Sequence, residues 1–377
     1  MGSSYELYQR MYETIAALVD VKHVRHLTNL IWISVGMLRS KSIALSKIAN
    51  AIPGDSDAES RVTEIRRWLT TPNINIWRLY EPIVKHMLQG WQAQAVTLIL
   101  DGSMVYGERL QIFRLSLVHG NRAIALSWRV LASPGVTTPQ RLSRMLRRAA
   151  RWLRPYVGSV TILVDRGFRD CDWPKFFEKT GWNHVVRVAH NTIVTWPDGH
   201  ACRIDELGVQ PGQQRFWNHV LLTREHLWPT NLSVTWTTGD ERNLPEILAV
   251  ISNQPAHPAH LRHYARRMDI EASFHDDKLG GFDMDHTRLI DSLRLERLLL
   301  PLALASLWCH QIGEMVLVSD HLRRIIDPGP QRELSVFQLG LRWMDRCLDT
   351  NLKALPPFLA RLHPIRLSPA KKRPILN

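Results

Sequence analysis

The sequence is poor in cysteine. Cys171, Cys202, Cys309 and Cys347 are all it has, and none falls in a CxxC pair. That excludes a zinc ribbon and a disulfide scaffold, and it suits a reducing compartment. Long uncharged apolar runs are also missing: the longest, Leu298 to Cys309, covers 12 residues, whereas a membrane span needs about 20. That run is expected to be a buried core helix, and no membrane partner is expected. The opening MGSSYELYQR has no apolar export core, so a cytoplasmic location is expected. Repeats and low-complexity tracts are absent. A hydrophobic share of 45% with 22% charged residues excludes a wholly disordered or fibrous chain. The 377 residues suffice for about two to three domains.

Acids are in short supply as well. Lys and Arg number 48 against 35 Asp and Glu, a formal charge of +13, which points to a polyanionic partner, most commonly nucleic acid. No acid lies between Ala132 and Val164, where Arg141, Arg144, Arg147, Arg148, Arg151 and Arg154 recur at mostly three-residue steps. On a helix this spacing builds a basic stripe, with Leu142, Met145, Leu146, Ala149 and Leu153 on the face toward a core. Arg144, Arg148 and Arg151 are candidate phosphate contacts. The tail after Thr350 is again all basic, with Lys353, Arg361, Arg366, Lys371, Lys372 and Arg373.

Residues 1–90 read as helices over Tyr5–Val19, Leu27–Leu38, Ile43–Ala49, Ser60–Leu69 and Ile76–Leu88. Ser40–Ile52, then Pro53-Gly54 and an Arg-rich helix, is compatible with a DNA-binding helix-turn-helix, although charge in this region is nearly balanced, 11 basic against 8 acidic residues. The texture then changes. AVTLILDGS, RLQIFRLSLVHG and NRAIALSWRVL read as strands, followed by the Arg-rich helix, the run VTILVDRGF, a helix DWPKFFEKTG and the run NHVVRVA. This β-β-β-α-β-α-β order suits a layered α/β sheet. Residues 191–255 hold short β-like runs and Trp196, Trp217, Trp228 and Trp236; from Pro258 the pattern is helical again.

Two carboxylates share one design. Asp101 closes the run Val96–Leu100 and Asp165 closes Val160–Val164, which places both at the C-terminal rim of a sheet, where α/β proteins build their sites. Strands lie about 4.8 Å apart, so two such acids on neighbouring strands can share one cation. The segment YARRMDIEASFHDDK adds Tyr264, Arg267, Glu271 and Lys278 at offsets 0, 3, 7 and 14. On one α-helix these four fall within an arc of roughly 60°, while Asp269, Asp276 and Asp277 point elsewhere. Glu271 is therefore the acid singled out.

Tyr-x2-Arg-x3-Glu-x6-Lys, with LILDGS and LVDRGF upstream, resembles the YREK signature and the two catalytic aspartates of bacterial cut-and-paste DDE transposases, the family-four group of insertion sequences. The resemblance spans about Gly90 to Leu307. It implies an α/β, RNase H-like catalytic core with a β-rich insertion, preceded by an all-helical N-terminal domain. The expected units are a helical DNA-binding domain at 1–90, core at 91–190, insertion at 191–255, core with the Glu helix at 256–320, and a basic helical tail at 321–377. It also implies Asp101, Asp165 and Glu271 as ligands of two Mg2+ ions, with Mn2+ substituting. Such ions lie roughly 3.5–4 Å apart and assist attack and departure at phosphorus. Tyr264, Arg267 and Lys278 would hold DNA phosphates. A base flipped out near a hairpin end would stack on a tryptophan of the insertion, with Trp236 as first candidate. The implied partners are double-stranded DNA, as element ends and target, and a second copy of the chain in the DNA complex. The alternative is an RNase H-like DNA-binding protein or nuclease that does not transpose.

Overall fold

A computed structural model describes residues 2–20, 23–132, 137–168, 172–223, 227–237, 245–286 and 288–362. The first 90 residues fold as five helices: α1 (Gly2–Leu18), α2 (Val24–Ser40), α3 (Leu45–Ala51), α4 (Ala58–Thr70) and α5 (Ile76–Met87). Capping fixes two of the starts. The Asp57 carboxylate accepts from the Ser60 N–H at 2.8 Å, and Asn75 accepts from the Trp77 N–H at 3.0 Å, satisfying donors that a helix start leaves unpaired.

Then follow β1 (Ala95–Val105), β2 (Leu110–His119), β3 (Arg122–Leu131), α6 (Pro139–Leu153), β4 (Ser159–Val164), α7 (Asp172–Lys179) and β5 (Asn183–Val188). β6 (Ile193–Thr195), β7 (Ala201–Arg203), β8 (Gln214–Leu222), β9 (Trp228–Trp236) and β10 (Ile247–Ser252) come next, then α8 (Pro258–Tyr264), α9 (Met268–His275), α10 (Ser292–Val318), α11 (Asp320–Ile326) and α12 (Val336–Thr350). Past Thr350 the described chain holds only a short turn at Leu352–Ala354, so the expected helical character of the tail ends with α12. Arg366, Lys371, Lys372 and Arg373 lie outside the described residues.

The ten strands among the described residues form one sheet in the order β3-β2-β1-β4-β5-β10-β9-β8-β6-β7. β1 runs antiparallel to β2 and parallel to β4, and β4 parallel to β5. The strands of the 191–255 region continue this sheet, because β10 pairs antiparallel with β5. A second difference from the sequence reading concerns Asp101. β1 does not end there: it runs on to Val105 in antiparallel register with β2, while its parallel pairing with β4 stops at Leu100 opposite Val164.

One face of the sheet packs on the main core through Leu98, Leu100, Ile162, Val164 and Val186. The alternate residues Ile99, Leu163 and Val185 face a smaller cluster with Leu261, Tyr264, Ile270 and Phe274 of α8 and α9. This is the period-two alternation of a strand applied across three neighbours. The centre of the main core is α10, which is long and apolar enough by length and composition to cross a membrane and is buried by the surrounding elements. Its crossing with α12 requires glycine on both sides: a Cβ at Gly313 would lie 1.9 Å from the Val336 carbonyl oxygen, and one at Gly340 1.7 Å from that of Cys309.

Candidate active site

The sheet registers build the site. Leu100 pairs with Val164, and Val164 with Val186. The next position along the three strands is therefore Asp101, Asp165 and Arg187. On the other side Asp101 pairs with Arg114 of β2. Alternation turns these residues toward α8 and α9, as it does Ile99, Leu163 and Val185. One rung of an apolar sheet thus reads cation, acid, acid, cation, from Arg114 to Arg187.

The segment above the rung supplies the rest, but not as one regular helix. Tyr264 closes α8, Arg267 closes a 3-10 turn (Ala265–Arg267), Glu271 lies in α9, and Lys278 lies in a π-turn (Asp276–Gly280). The single-helix stripe inferred from the sequence is therefore corrected. A 3-10 turn of about three residues sets Tyr264 and Arg267 one above the other, and the wider π-turn carries Lys278 away. The Tyr264 hydroxyl donates to Asp165 at 3.1 Å. Arg267 donates to Asp101 at 2.9 Å and also to Glu271. Lys278 instead donates to the Met104 carbonyl at 2.8 Å, three residues beyond Asp101 on β1, and lies 3.8 Å from Asp285. Asp276 and Asp277 face the sheet as buried partners of Arg122 and Arg114, and Asp269 is buried with Arg266 3.9 Å away. Glu271 is the exposed acid of the segment.

Burial, opposed by Arg267 and the Gly102 N–H and reinforced by Asp165 and Glu271, pushes the Asp101 carboxyl up from 3.8 to about 6. Burial works against the charge of Arg267, yet Tyr264, Asp101 and Glu271 hold its guanidinium above its ordinary value. Burial also raises the Tyr264 hydroxyl, keeping it protonated as a donor. Among the described residues, no three His, Cys, Asp or Glu side chains are gathered closely enough to hold a metal ion by themselves. The Arg267 guanidinium stands between Asp101 and Glu271. Asp101, Asp165 and Glu271 nonetheless offer only carboxylate oxygens, the chemistry that hard cations such as Mg2+ prefer, and one cation, the guanidinium, already lies between two of them.

Sequence reasoning missed Arg187. It donates to Glu246 at 2.6 Å, and its charge is further favoured by Tyr264 and Asp165 against the cost of burial. The available signal was an Arg interrupting the apolar run NHVVRVA. Of the basic stripe on α6, Arg144 and Arg151 are exposed, whereas Arg148 is half-buried. Its guanidinium lies 3.6 Å from the centre of the Trp77 ring, and burial pushes its pKa down to about 10. Trp236 is half-buried, with its indole N–H donated to the Val209 carbonyl at 2.6 Å. That bond ties the ring into the packing of its own region.

Residues 131–308 match the family model of the transposase DDE domain, a segment that holds Asp165 and Glu271 and begins after Asp101. Among solved structures, the chain is similar to the piggyBac transposase synaptic complex with hairpin DNA, at 11% identity and a TM-score of 0.44, over 94% of this chain and 82% of that one. No curated protein matches it.

Proposed function

We propose that the chain is a DNA transposase of the DDE type, which cuts an insertion sequence at its ends and joins it to target DNA. The observation that supports this reading best is the acidic pair Asp101 and Asp165 on one rung, roofed by the Tyr264–Glu271 segment, inside a chain whose residues 131–308 match a transposase DDE domain. The order β3-β2-β1-β4-β5, antiparallel then parallel, supports an RNase H-like core. The strands β6–β9 then form the insertion and α1–α5 the end-recognition unit. Two copies would act together on two ends.

Asp101, Asp165 and Glu271 would hold Mg2+ or Mn2+, which supplies activation of the attacking oxygen and stabilisation of the leaving one. Arg267, between Asp101 and Glu271, and Arg187, beside Asp165 on the rung, neutralise the scissile phosphate and its neighbour. Tyr264, protonated and fixed by Asp165, donates to a phosphate oxygen. Lys278, set beyond the β1 end of the site, holds the strand leading away from the cut.

The test is to incubate the protein with its element's end DNA and Mg2+. Cleavage is expected from the wild type and from none of Asp101→Ala, Asp165→Ala or Glu271→Ala, all of which retain end binding in a gel shift. Normal cutting by Glu271→Ala would sink the reading.

A further inference from the structure

Directly behind the Glu271 segment lies a buried charge network that the proposed chemistry does not use. Arg114 of β2 pairs with Asp277 at 2.5 Å, and Arg122 of β3 with Asp276 at 2.6 Å. Arg114, Asp276 and Asp277 are each at most 5% exposed. A third tie joins them: the Ser273 hydroxyl accepts from the Ala123 N–H at 2.8 Å. The Arg114 guanidinium also stacks 4.6 Å from the Phe274 ring centre, and Ser306 of α10 bonds the Asp277 carboxylate.

Buried ion pairs are poor devices for stability alone, because desolvating two charges offsets most of their attraction. What they supply is direction, and here the direction is specific. Arg114 is the cross-strand partner of Asp101. One ion pair therefore links the rung carrying the first acid to the turn that ends the helix carrying the third. The π-turn presents the neighbouring residues Asp276 and Asp277 to the sheet together, and such turns are frequent at functional sites. Resting on the reading of Asp101, Asp165 and Glu271 as the acidic triad, we infer that Arg114–Asp277 and Arg122–Asp276 form a clamp of positioning residues that sets the height of Glu271 over the Asp101–Asp165 rung. Without it α9 stays packed through Ile270 and Phe274 and tied to β3 at Ser273 alone, so the turn that follows Glu271 is free to shift on the sheet.

The experiment compares wild type, the double variant Arg114→Met/Asp277→Leu, Arg122→Lys and Glu271→Gln. Each is measured for thermal melting, for Mn2+ binding by the electron spin resonance of the free ion, for end binding and for cleavage. The double variant replaces the pair by apolar groups and so leaves no orphaned charge. It is expected to melt near the wild type and to bind end DNA normally, with Mn2+ affinity down at least tenfold and cleavage down at least a hundredfold. Arg122→Lys keeps the charge but removes the Nε hydrogen bond, and should weaken Mn2+ binding several-fold in a fully folded protein. Wild-type Mn2+ affinity in the folded double variant overturns the clamp. If the double variant fails to fold, wild-type affinity in Arg122→Lys overturns it instead. A wild type whose Mn2+ binding is unaffected by Glu271→Gln overturns the triad itself, and the clamp with it. Loss in Glu271→Gln with none in the clamp variants overturns only the clamp.

Discussion

Asp101 sits in a place that favours its neutral form, and this makes a stability experiment possible without any substrate. Its side chain is 16% exposed, and burial, despite Arg267, raises the carboxyl from 3.8 to about 6. In the folded protein the group holds its proton more tightly than in the unfolded chain. Between about pH 4 and pH 6 the native state therefore binds more protons, so this group's contribution to stability falls as pH rises through that window and stays low above it. A rise of this size corresponds to about 3 kcal/mol at neutral pH. Asn is a permanently neutral isostere. Asp101→Asn should thus be more stable than the wild type by up to about 3 kcal/mol at pH 8, and by under about 1 kcal/mol at pH 4. Thermal or urea melts of both proteins from pH 4 to pH 8, with a chelator present, measure the difference. A variant less stable than wild type at pH 8, or a gap independent of pH, would refute the account of Asp101 as an acid held ionised against its surroundings. The same variant should be inactive, as expected where function and stability compete.

Replacing Arg144, Arg147 and Arg151 together by Ala should reduce the steepness of log affinity against log salt by roughly 0.9 for each phosphate that is no longer neutralised, and an unchanged slope would remove α6 from the DNA interface. Arg148→Ala should instead cost about 1–2 kcal/mol of stability, because the stack on Trp77 disappears, and leave DNA affinity unchanged; denaturation and a gel shift together would check this. Gly313→Ala should destabilise by about 3 kcal/mol or more, because its methyl would strike the Val336 carbonyl and α10 and α12 cannot both stay in place; an ordinary melting temperature would contradict that crossing.

Local patterns in the sequence were enough to locate α1–α5 within a few residues, since apolar periodicity and caps are written in the chain itself. They were also enough to set Asp101 and Asp165 on neighbouring strands and to separate Glu271, which is exposed, from Asp269, Asp276 and Asp277, which are buried. Features that depend on which strand meets which were not legible. Arg187 and Arg114 look like stray charges in apolar runs until the registers β5 with β4 and β2 with β1 set them on the acidic rung. The continuation of β1 past Asp101 comes from its hairpin partner β2. The broken geometry of 264–280 comes from the buried partners of Asp276 and Asp277, which an ideal helix wheel does not contain. Arg148 shares its three-residue spacing with exposed neighbours, and only the position of Trp77 on α5 separates it from them.

The direct pairing of β10 with β5 changes what the 191–255 region is for the fold. Leu248, Ala249, Val250 and Ile251 are buried on both faces of β10, and the outer backbone row of that strand is covered by β9. A chain shortened by removal of β6–β9 would end its sheet in a strand that is apolar up to Ile251, with a free row of N–H and C=O groups, the surface most prone to recruit another chain. In the intact protein the sheet instead runs on through β9 and the more exposed β8, and ends in β6 and β7 of three residues each. Whatever else the region contacts, it also serves as the edge guard of the sheet on which the acids are mounted.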